Sequence, residues 1–260
     1  MSGKLHGITT EDINEIKRHR TAESSIIFLS GPSSLKTPLS LLAASDVISV
    51  NGSARYLLDN NIQPFIYVLT DSRFSLQRND DFREFVQKSK YTIVNGEVYD
   101  NASAEDKRFI DDRGFVIRSL YQREKGGFFK KLKFTLMAKL DENILISVPM
   151  SKKKRLVGFS RDISHGYCSC HTVAFAALQV AYSLGYKKIV HSGLDLVDTC
   201  TRFYDEEHNP QPSELSRDLG KILPFYAFMR EKVPDINVYN LSDNTAVSYD
   251  LVPFITPEEV

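Results

Sequence analysis

Ser25-Ile26-Ile27-Phe28-Leu29-Ser30-Gly31-Pro32-Ser33-Ser34-Leu35-Lys36 is the stretch that decides the fold. A short apolar run reads as a strand buried on both faces, and it empties into a glycine, a proline and two serines, the composition of a tight loop. The same pattern recurs outward along the chain, at Val47 to Val50, Phe65 to Leu69, Tyr91 to Val94, Phe115 to Ile117, Ile144 to Val148, Lys188 to His191 and Ile236 to Tyr239. Between several of these runs, apolar residues return every three or four positions, at Asp80 to Ser89, Phe128 to Leu140, Thr172 to Leu184 and Ser213 to Lys232. Strands alternating with helices predict an α/β fold, a Rossmann-like and mostly parallel sheet with helices on both faces. No fixed-period repeat and no Pro/Ser-rich linker divides the chain, so one domain is expected over residues 1–260. The segment from about Asn95 to Met150 is expected to be an insertion, because its basic helix interrupts the strand and helix rhythm.

Composition excludes several classes. The chain has 260 residues, 42% hydrophobic and 25% charged, with 33 Lys plus Arg against 33 Asp plus Glu; these are the proportions of an ordinary globular protein rather than a disordered or collagenous one. Its longest apolar runs fall far short of the roughly 18 residues that cross a bilayer. The polar stretch Met1 to Arg20 lacks the apolar core of a secretory signal, so a cytoplasmic location is expected, and three cysteines suit that reducing compartment. Charge is uneven: Tyr121 to Arg155 holds ten basic residues against three acidic ones, while Leu196 to Asp218 leans acidic. Zero net charge and the lack of a basic motif beyond Lys152 to Arg155 argue against nucleic acid as a partner.

Ligands of parallel α/β sheets bind beyond the carboxyl ends of strands. Three such ends look alike: Gly31 to Lys36, with Ser33, Ser34 and Lys36 able to donate to an anion; Asn51-Gly52-Ser53, with an amide suited to a sugar or base; and Thr70-Asp71-Ser72. Each also suits an ordinary turn or helix cap. A fourth candidate, Ser164 to Thr172, precedes the very apolar helix Val173 to Leu184; Ser169, His171 and Thr172 at that helix N-terminus suit a phosphate, which His171 is placed to protonate. Cys168, Cys170 and His171 lack the Cys-x-x-Cys spacing of a structural zinc site, and no local signature marks a nucleophilic cysteine. The fifth is Ser192-Gly193-Leu194-Asp195, where Asp195 suits a ribose or sugar hydroxyl, followed by a polar loop over residues 197–213 that would make a lid. Asp205, Glu206, Glu207, His208 and Glu214 are the candidate general bases, and the same acidic loop also reads as a solvated turn.

The runs IIFLSGPSSLKTPLS, VISVNGSARYLLDNNIQPFIYVLTDSRF, YQREKGGFFKKLKF, LVGFSRDISHGYCSCHTVAFAALQVAYSLGY, SGLDL, SRDLGKILPF and YNLSDNTAVSYD closely resemble the WaaZ/RfaZ family of lipopolysaccharide core biosynthesis proteins. The resemblance runs from about Ser25 to Phe254. It implies transfer of a third residue of the keto-sugar acid Kdo from CMP-Kdo to a Kdo hydroxyl of the lipid A-linked core. A more distant resemblance, to bacterial sialyltransferases that use CMP-sialic acid, implies nucleotide-binding roles for Gly31 to Lys36, Asn51, Thr70, Asp71 and Ser192 to Asp195, and for Tyr204 on the lid. Thr172-Val173-Ala174 stands where those enzymes have Thr-Ser-Gly. Their histidine base would fall near Pro212 or Ser213, neither of which can serve, so the role passes to His208 or Glu214, or the mechanism differs.

One phosphate can be neutralised by amides, hydroxyls and His171, so no divalent cofactor is predicted; Asp111-Asp112 and Asp195-x-x-Asp198 are the nearest approaches to a metal motif. Phe128, Phe129, Lys130, Lys131 and Lys133 form a segment that resembles an interfacial helix, suited to an anionic membrane surface and an acylated acceptor, and equally to an ordinary amphipathic helix whose lysines face water. That reading adds peripheral membrane association to the cytoplasmic location. The alternatives are a non-catalytic nucleotide- or glycan-binding protein on the same fold, or a transferase of another CMP-activated keto-sugar acid.

Overall fold

The computed structural model describes residues 7–121, 124–197, 202–203 and 215–260, with side chains from 218 onward in the last stretch. In chain order the elements run α1 (Thr10–Arg18), β1 (Ser24–Phe28), α2 (Leu39–Ala43), β2 (Asp46–Val50), α3 (Ala54–Asp59), β3 (Ile66–Leu69), α4 (Ser72–Gln77), α5 (Asn79–Lys88), β4 (Tyr91–Asn95), α6 (Gly96–Asn101), α7 (Ala104–Arg113) and β5 (Phe115–Ile117). They continue with β6 (Ser119–Tyr121), α8 (Phe128–Leu140), β7 (Ile144–Ser147), β8 (Val157–Ser160), β9 (Tyr167–Cys168), α9 (Val173–Ser183), β10 (Lys188–Ser192), α10 (Leu215–Lys232) and β11 (Asn237–Asn240).

Seven strands form one parallel sheet in the order β11-β10-β1-β2-β3-β4-β5. Its strands are apolar on both faces because both faces are covered. Ile27, Ile48, Val50, Ile66 and Val68 pack into a core shared with Ile16 of α1, Ala177 of α9 and Phe225 of α10. The alternate residues Ile26, Phe28 and Val47 meet Leu42 of α2 and Leu57 of α3 on the other face, while Tyr67, Leu69 and Val94 meet Phe74, Phe82 and Phe85 of α4 and α5. Each such side chain contributes about 1.5–3 kcal/mol by leaving water.

Two expectations change. The run Ile144 to Val148 is a strand, but it lies outside the main sheet, paired antiparallel with β8. Its burial is one-sided, with Leu145 and Ile146 half-buried and Ser147 exposed, which suits a two-stranded ribbon rather than a central parallel strand. The stretch from Asn95 to Met150 is not one insertion, because α6 and α7 fill the crossover from β4 to β5, and β5 pairs with β4 at the sheet edge. What departs from the sheet begins after β5 and comprises β6 to β9 with α8.

A buried amide on α9 helps to fasten this added layer. Gln179, fully buried on α9, accepts from Ser160 N and Cys168 N, each at 2.9 Å, and donates to Cys168 O at 3.1 Å and Phe175 O at 3.0 Å. Each buried group stranded by its loss costs about 1–3 kcal/mol. The rest of α9 is apolar all round and buried from Ala174 to Ala181, as a helix between a sheet and a second layer must be. Gly185, at φ +82°, lets the chain leave the helix C-terminus in the left-handed region.

Candidate active site

Chain order reverses between β1 and β10: β2 to β5 extend from one side of β1, and β10 and β11 lie on the other. Such a reversal opens a crevice beyond the carboxyl ends of the two strands. A cavity of about 560 Å³ occupies that place, walled by the loops after β1, β2, β3, β4 and β10 and by the N-terminus of α9.

The loops after β1 and β10 interlock. A Cβ on Gly31 would come within 2.6 Å of Asp195 Oδ2 and overlap the Gly193 carbonyl oxygen, so neither loop could close with a larger residue there. Asp195, nearly buried, accepts from Ser33 N at 3.0 Å, from Ser33 Oγ, and from Ser242 Oγ at 2.6 Å. Thr245 Oγ1 donates to Leu194 O at 2.6 Å and Ala246 N to Asp195 O at 2.8 Å, so the segment after β11 braces the same loop from outside. Asp195 therefore joins three chain segments at the cavity wall.

Asn51 follows β2 with φ +48° and Leu196 follows Asp195 with φ +50°; both line the cavity. Left-handed backbone at a leucine costs roughly 1–2 kcal/mol, and such strain gathers at functional sites. The Asn51 side-chain oxygen is buried with no hydrogen-bond partner among the described residues. A buried amide with an unused acceptor on a cavity wall is arranged for a ligand.

Thr172 caps α9, its Oγ1 accepting from Ala174 N at 3.2 Å, and this helix N-terminus lies on the cavity wall with Ser169 and His171. His171 Nδ1 lies 2.6 Å from Asp218 Oδ2 of α10. At the far end Arg73 grips Asp71 with Nε at 3.0 Å and Nη2 at 2.7 Å. Burial opposes ionisation of Asp71, but Arg73 and then Arg202 outweigh it and hold the carboxyl below the usual carboxylate range. Asn95 donates to Thr70 O at 3.1 Å and to Tyr167 Oη at 3.2 Å, joining the ends of β3 and β4 to β9.

The structure thus gathers Gly31, Asn51, Thr70, Asp71, Ser169, His171, Thr172 and Asp195 around one space. Ser33, Ser34 and Lys36 do not line it. The Ser33 hydroxyl is spent on Asp195, buried Ser34 donates to Leu29 O at 2.8 Å, and exposed Lys36 turns outward to Asp243 at 3.0 Å. Tyr204, His208 and Glu214 lie outside the described residues, as does most of the expected lid. Of that loop Phe203 is anchored, its N–H donating to Ser30 O at 3.0 Å and its ring packing on Phe28 and Tyr56. Lys130, Lys131, Lys133, Phe128 and Phe129 lie on α8, away from the cavity wall. Cys168 is fully buried and its thiol is pushed well up by burial, the setting of an inert cysteine. Among the described residues no three of His, Cys, Asp and Glu stand together as metal ligands. Asp111 accepts from Tyr99 Oη at 3.1 Å, away from the cavity. Sequence reasoning missed Arg73, Asn95, Arg202 and Asp218, and held Tyr167 only as a member of the stretch Ser164 to Thr172, with no role of its own. Arg73 and Asn95 sit within reach of strand ends and were findable from that placement; Asp218 carries no local signal.

The chain matches the family model described as 3-deoxy-D-manno-octulosonic acid transferase WaaZ over residues 7–258. It belongs to that family. A relative from Escherichia coli (strain K12), named a probable 3-deoxy-manno-octulosonic acid transferase, is 60% identical over 97% of this chain and 89% of its own length. Another of the same name from Salmonella typhimurium is 56% identical over 99% of this chain and 96% of its own. Among solved structures, the MAf glycosyltransferase from Magnetospirillum magneticum AMB-1 superposes with a TM-score of 0.52 at 15% identity, covering 99% of this chain and 40% of that one; that likeness concerns the fold alone. In this WaaZ-family chain the cavity at the sheet reversal is the candidate active site.

Proposed function

We propose that this chain transfers Kdo from CMP-Kdo to a Kdo residue of the lipid A-linked lipopolysaccharide core, adding the third Kdo. Membership of the Kdo transferase family gives the sugar. The observation that carries the site assignment is the convergence, around one cavity, of the interlocked loops at Gly31 and Asp195, the Asn51 side-chain oxygen without a partner among the described residues, and the N-terminus of α9.

The reading supplies each part of the donor with a matching wall. The nucleoside lies along Gly31 and Asn51, where the backbone allows close approach and an amide meets base or ribose. The phosphate faces the α9 amides with Ser169, Thr172 and His171, a positive helix end where charge develops as CMP departs. Donor and acceptor each bear a sugar carboxylate, and the same cavity presents two arginines, Arg73 and Arg202. The acceptor hydroxyl loses its proton to His208 or Glu214 as it attacks the anomeric carbon.

The acceptor is lipid-linked, and α8 suits a peripheral contact with an anionic bilayer. Among the described residues no helix is long and apolar enough to cross one. Phe134 anchors α8 against Tyr121, while Phe128, Phe129, Leu132, Leu136 and Leu140 are exposed. Residues 129, 132, 136 and 140 share one face, and Lys130, Lys131, Lys133 and Lys139 supply positive charge around it.

The test is CMP release from freshly made CMP-Kdo with and without a Kdo-containing lipid A acceptor, followed by mass analysis of the acceptor in EDTA. Release coupled to one added Kdo mass supports a metal-independent transferase. CMP binding without transfer to any such acceptor overturns it in favour of a binding protein or another CMP-activated keto-sugar acid.

A further inference from the structure

His171 lies just ahead of α9 and Asp218 in the first turns of α10, 47 residues apart, and both line the cavity. Their side chains are 6% and 14% exposed. Asp218 Oδ2 holds His171 Nδ1 at 2.6 Å, and its Oδ1 takes the Lys221 ammonium from one turn further along α10. Burial opposes ionisation of Asp218, but Lys221 and His171 outweigh it and hold the carboxyl below the usual range. An ionised carboxylate accepts and cannot donate, so Nδ1 carries its proton and Nε2 is the nitrogen that exchanges one with a ligand. The setting of His171 pulls two ways. The positive end of α9 favours the neutral ring, whereas the carboxylate favours the imidazolium.

We propose that Asp218 is a positioning residue that fixes the His171 ring and holds it as an imidazolium beside the leaving phosphate. This rests on the donor assignment above. In the transfer step the bond between the anomeric carbon and the phosphate oxygen breaks, and its electron pair stays on that oxygen. The His171 Nε2 proton moves to the same oxygen, the acceptor oxygen bonds to the carbon, and the acceptor's proton goes to the separate base. His171 then regains a proton from solvent. Among the described residues the other charged groups on the cavity wall are Asp71 and Arg73 after β3, Glu97 after β4, Asp195 after β10, and Arg202; these are unaltered when Asp218 alone is changed.

The test measures His171 directly, by NMR titration of its imidazole in the full-length chain, alongside CMP affinity and the rate of transfer as functions of pH. In the wild type, CMP affinity falls as pH rises through the His171 midpoint. Asp218→Asn, which keeps the shape and removes the charge, lowers that midpoint by about one unit or more. It moves the fall in CMP affinity and the alkaline limb of kcat by the same amount, and lowers kcat about a hundredfold. Asp218→Glu restores the midpoint in part, and His171→Gln removes the alkaline limb while retaining CMP binding. An unmoved His171 midpoint in folded Asp218→Asn overturns the proposal, and so does a moved midpoint with CMP affinity and kcat limbs unmoved. A wild-type chain that binds no CMP at any pH removes the donor reading itself, an outcome distinct from CMP binding whose pH dependence ignores Asp218.

Discussion

Gly31 and Gly193 stand back to back at the two strand ends that flank the cavity, and a Cβ on Gly31 would overlap the carbonyl oxygen of Gly193. A Cβ on Gly193 would in turn overlap Ser34 Oγ, and Gly193 also adopts φ +83°. Gly193→Ala therefore meets two costs, roughly 1–2 kcal/mol for left-handed backbone and about 1–3 kcal/mol for overpacking. The expected result is a lower urea midpoint together with weakened CMP binding, since the loop that must shift forms the cavity wall. Gly96→Ala is the control. Nothing lies within 4 Å of its new Cβ, and stability should change by less than about 0.5 kcal/mol.

Asp195 receives three donors, the backbone and side chain of Ser33 and the hydroxyl of Ser242. Asp195→Ala strands them at a nearly buried position and should cost about 1–3 kcal/mol for each donor that water cannot reach. Asp195→Asn should cost less, because one amide oxygen still accepts. Denaturation curves of the two variants, compared with CMP titrations, separate bracing from ligand contact: a residue that braces the loops loses stability and affinity together, whereas a ligand contact alone would lose affinity at unchanged stability.

The parallel sheet was legible because its strands are covered on both faces and so read as unbroken apolar runs, from Ile26 to Val238. The cavity wall was legible in outline, since residues placed just after those runs, Gly31, Asn51, Thr70 and Asp195, do line the cavity. Side-chain direction was not. Ser33, Ser34 and Lys36 share a loop with Gly31, yet that loop opens as a short 3-10 turn from Pro32 to Lys36 and sends their polar groups to Asp195, Leu29 O and Asp243. The helix α1 also went unread within the polar stretch Met1 to Arg20. Its signals were the Thr9–Asp12 capping box and the buried pair Ile13 and Ile16 on one helix face. Asp218 could not be found from sequence, because only the packing of α10 beside the start of α9 brings it to His171, 47 residues away.

His191 on β10 is fully buried beside Tyr226, and neither ring nitrogen has a hydrogen-bond partner among the described residues. Burial pushes its pKa down to about 3, against about 6.5 in an unfolded chain. Between those values the unfolded chain binds a proton that the folded chain refuses. The stability contribution is therefore complete above about pH 6.5 and is lost as pH falls toward 3, with a slope of about 1.4 kcal/mol per unit. His191→Leu removes this group, so urea midpoints at pH 7, 6 and 5 should fall less steeply in the variant than in the wild type. Parallel curves would mean that the ring finds a way to accept its proton while folded.

The exposed row on α8 tests the lipid contact by a reversal of sign. Phe129, Leu132, Leu136 and Leu140 are each more than half exposed and fall on one helix face, whereas Phe134 on another is 1% exposed and packs on Tyr121. If the row enters a headgroup layer, Leu132→Glu with Leu136→Glu should abolish co-sedimentation with anionic vesicles and leave the melting temperature unchanged. Lys130, Lys131 and Lys133 together changed to Glu should weaken vesicle binding steeply at low salt and less at high salt, because each lysine near an anionic surface contributes about 1 kcal/mol that salt screens. Transfer to an acceptor stripped of its acyl chains should be unaffected by either set, since none of these residues lines the cavity. Vesicle binding unchanged in both variants would remove α8 from the membrane contact, and would leave the face to some other partner of the family's chemistry.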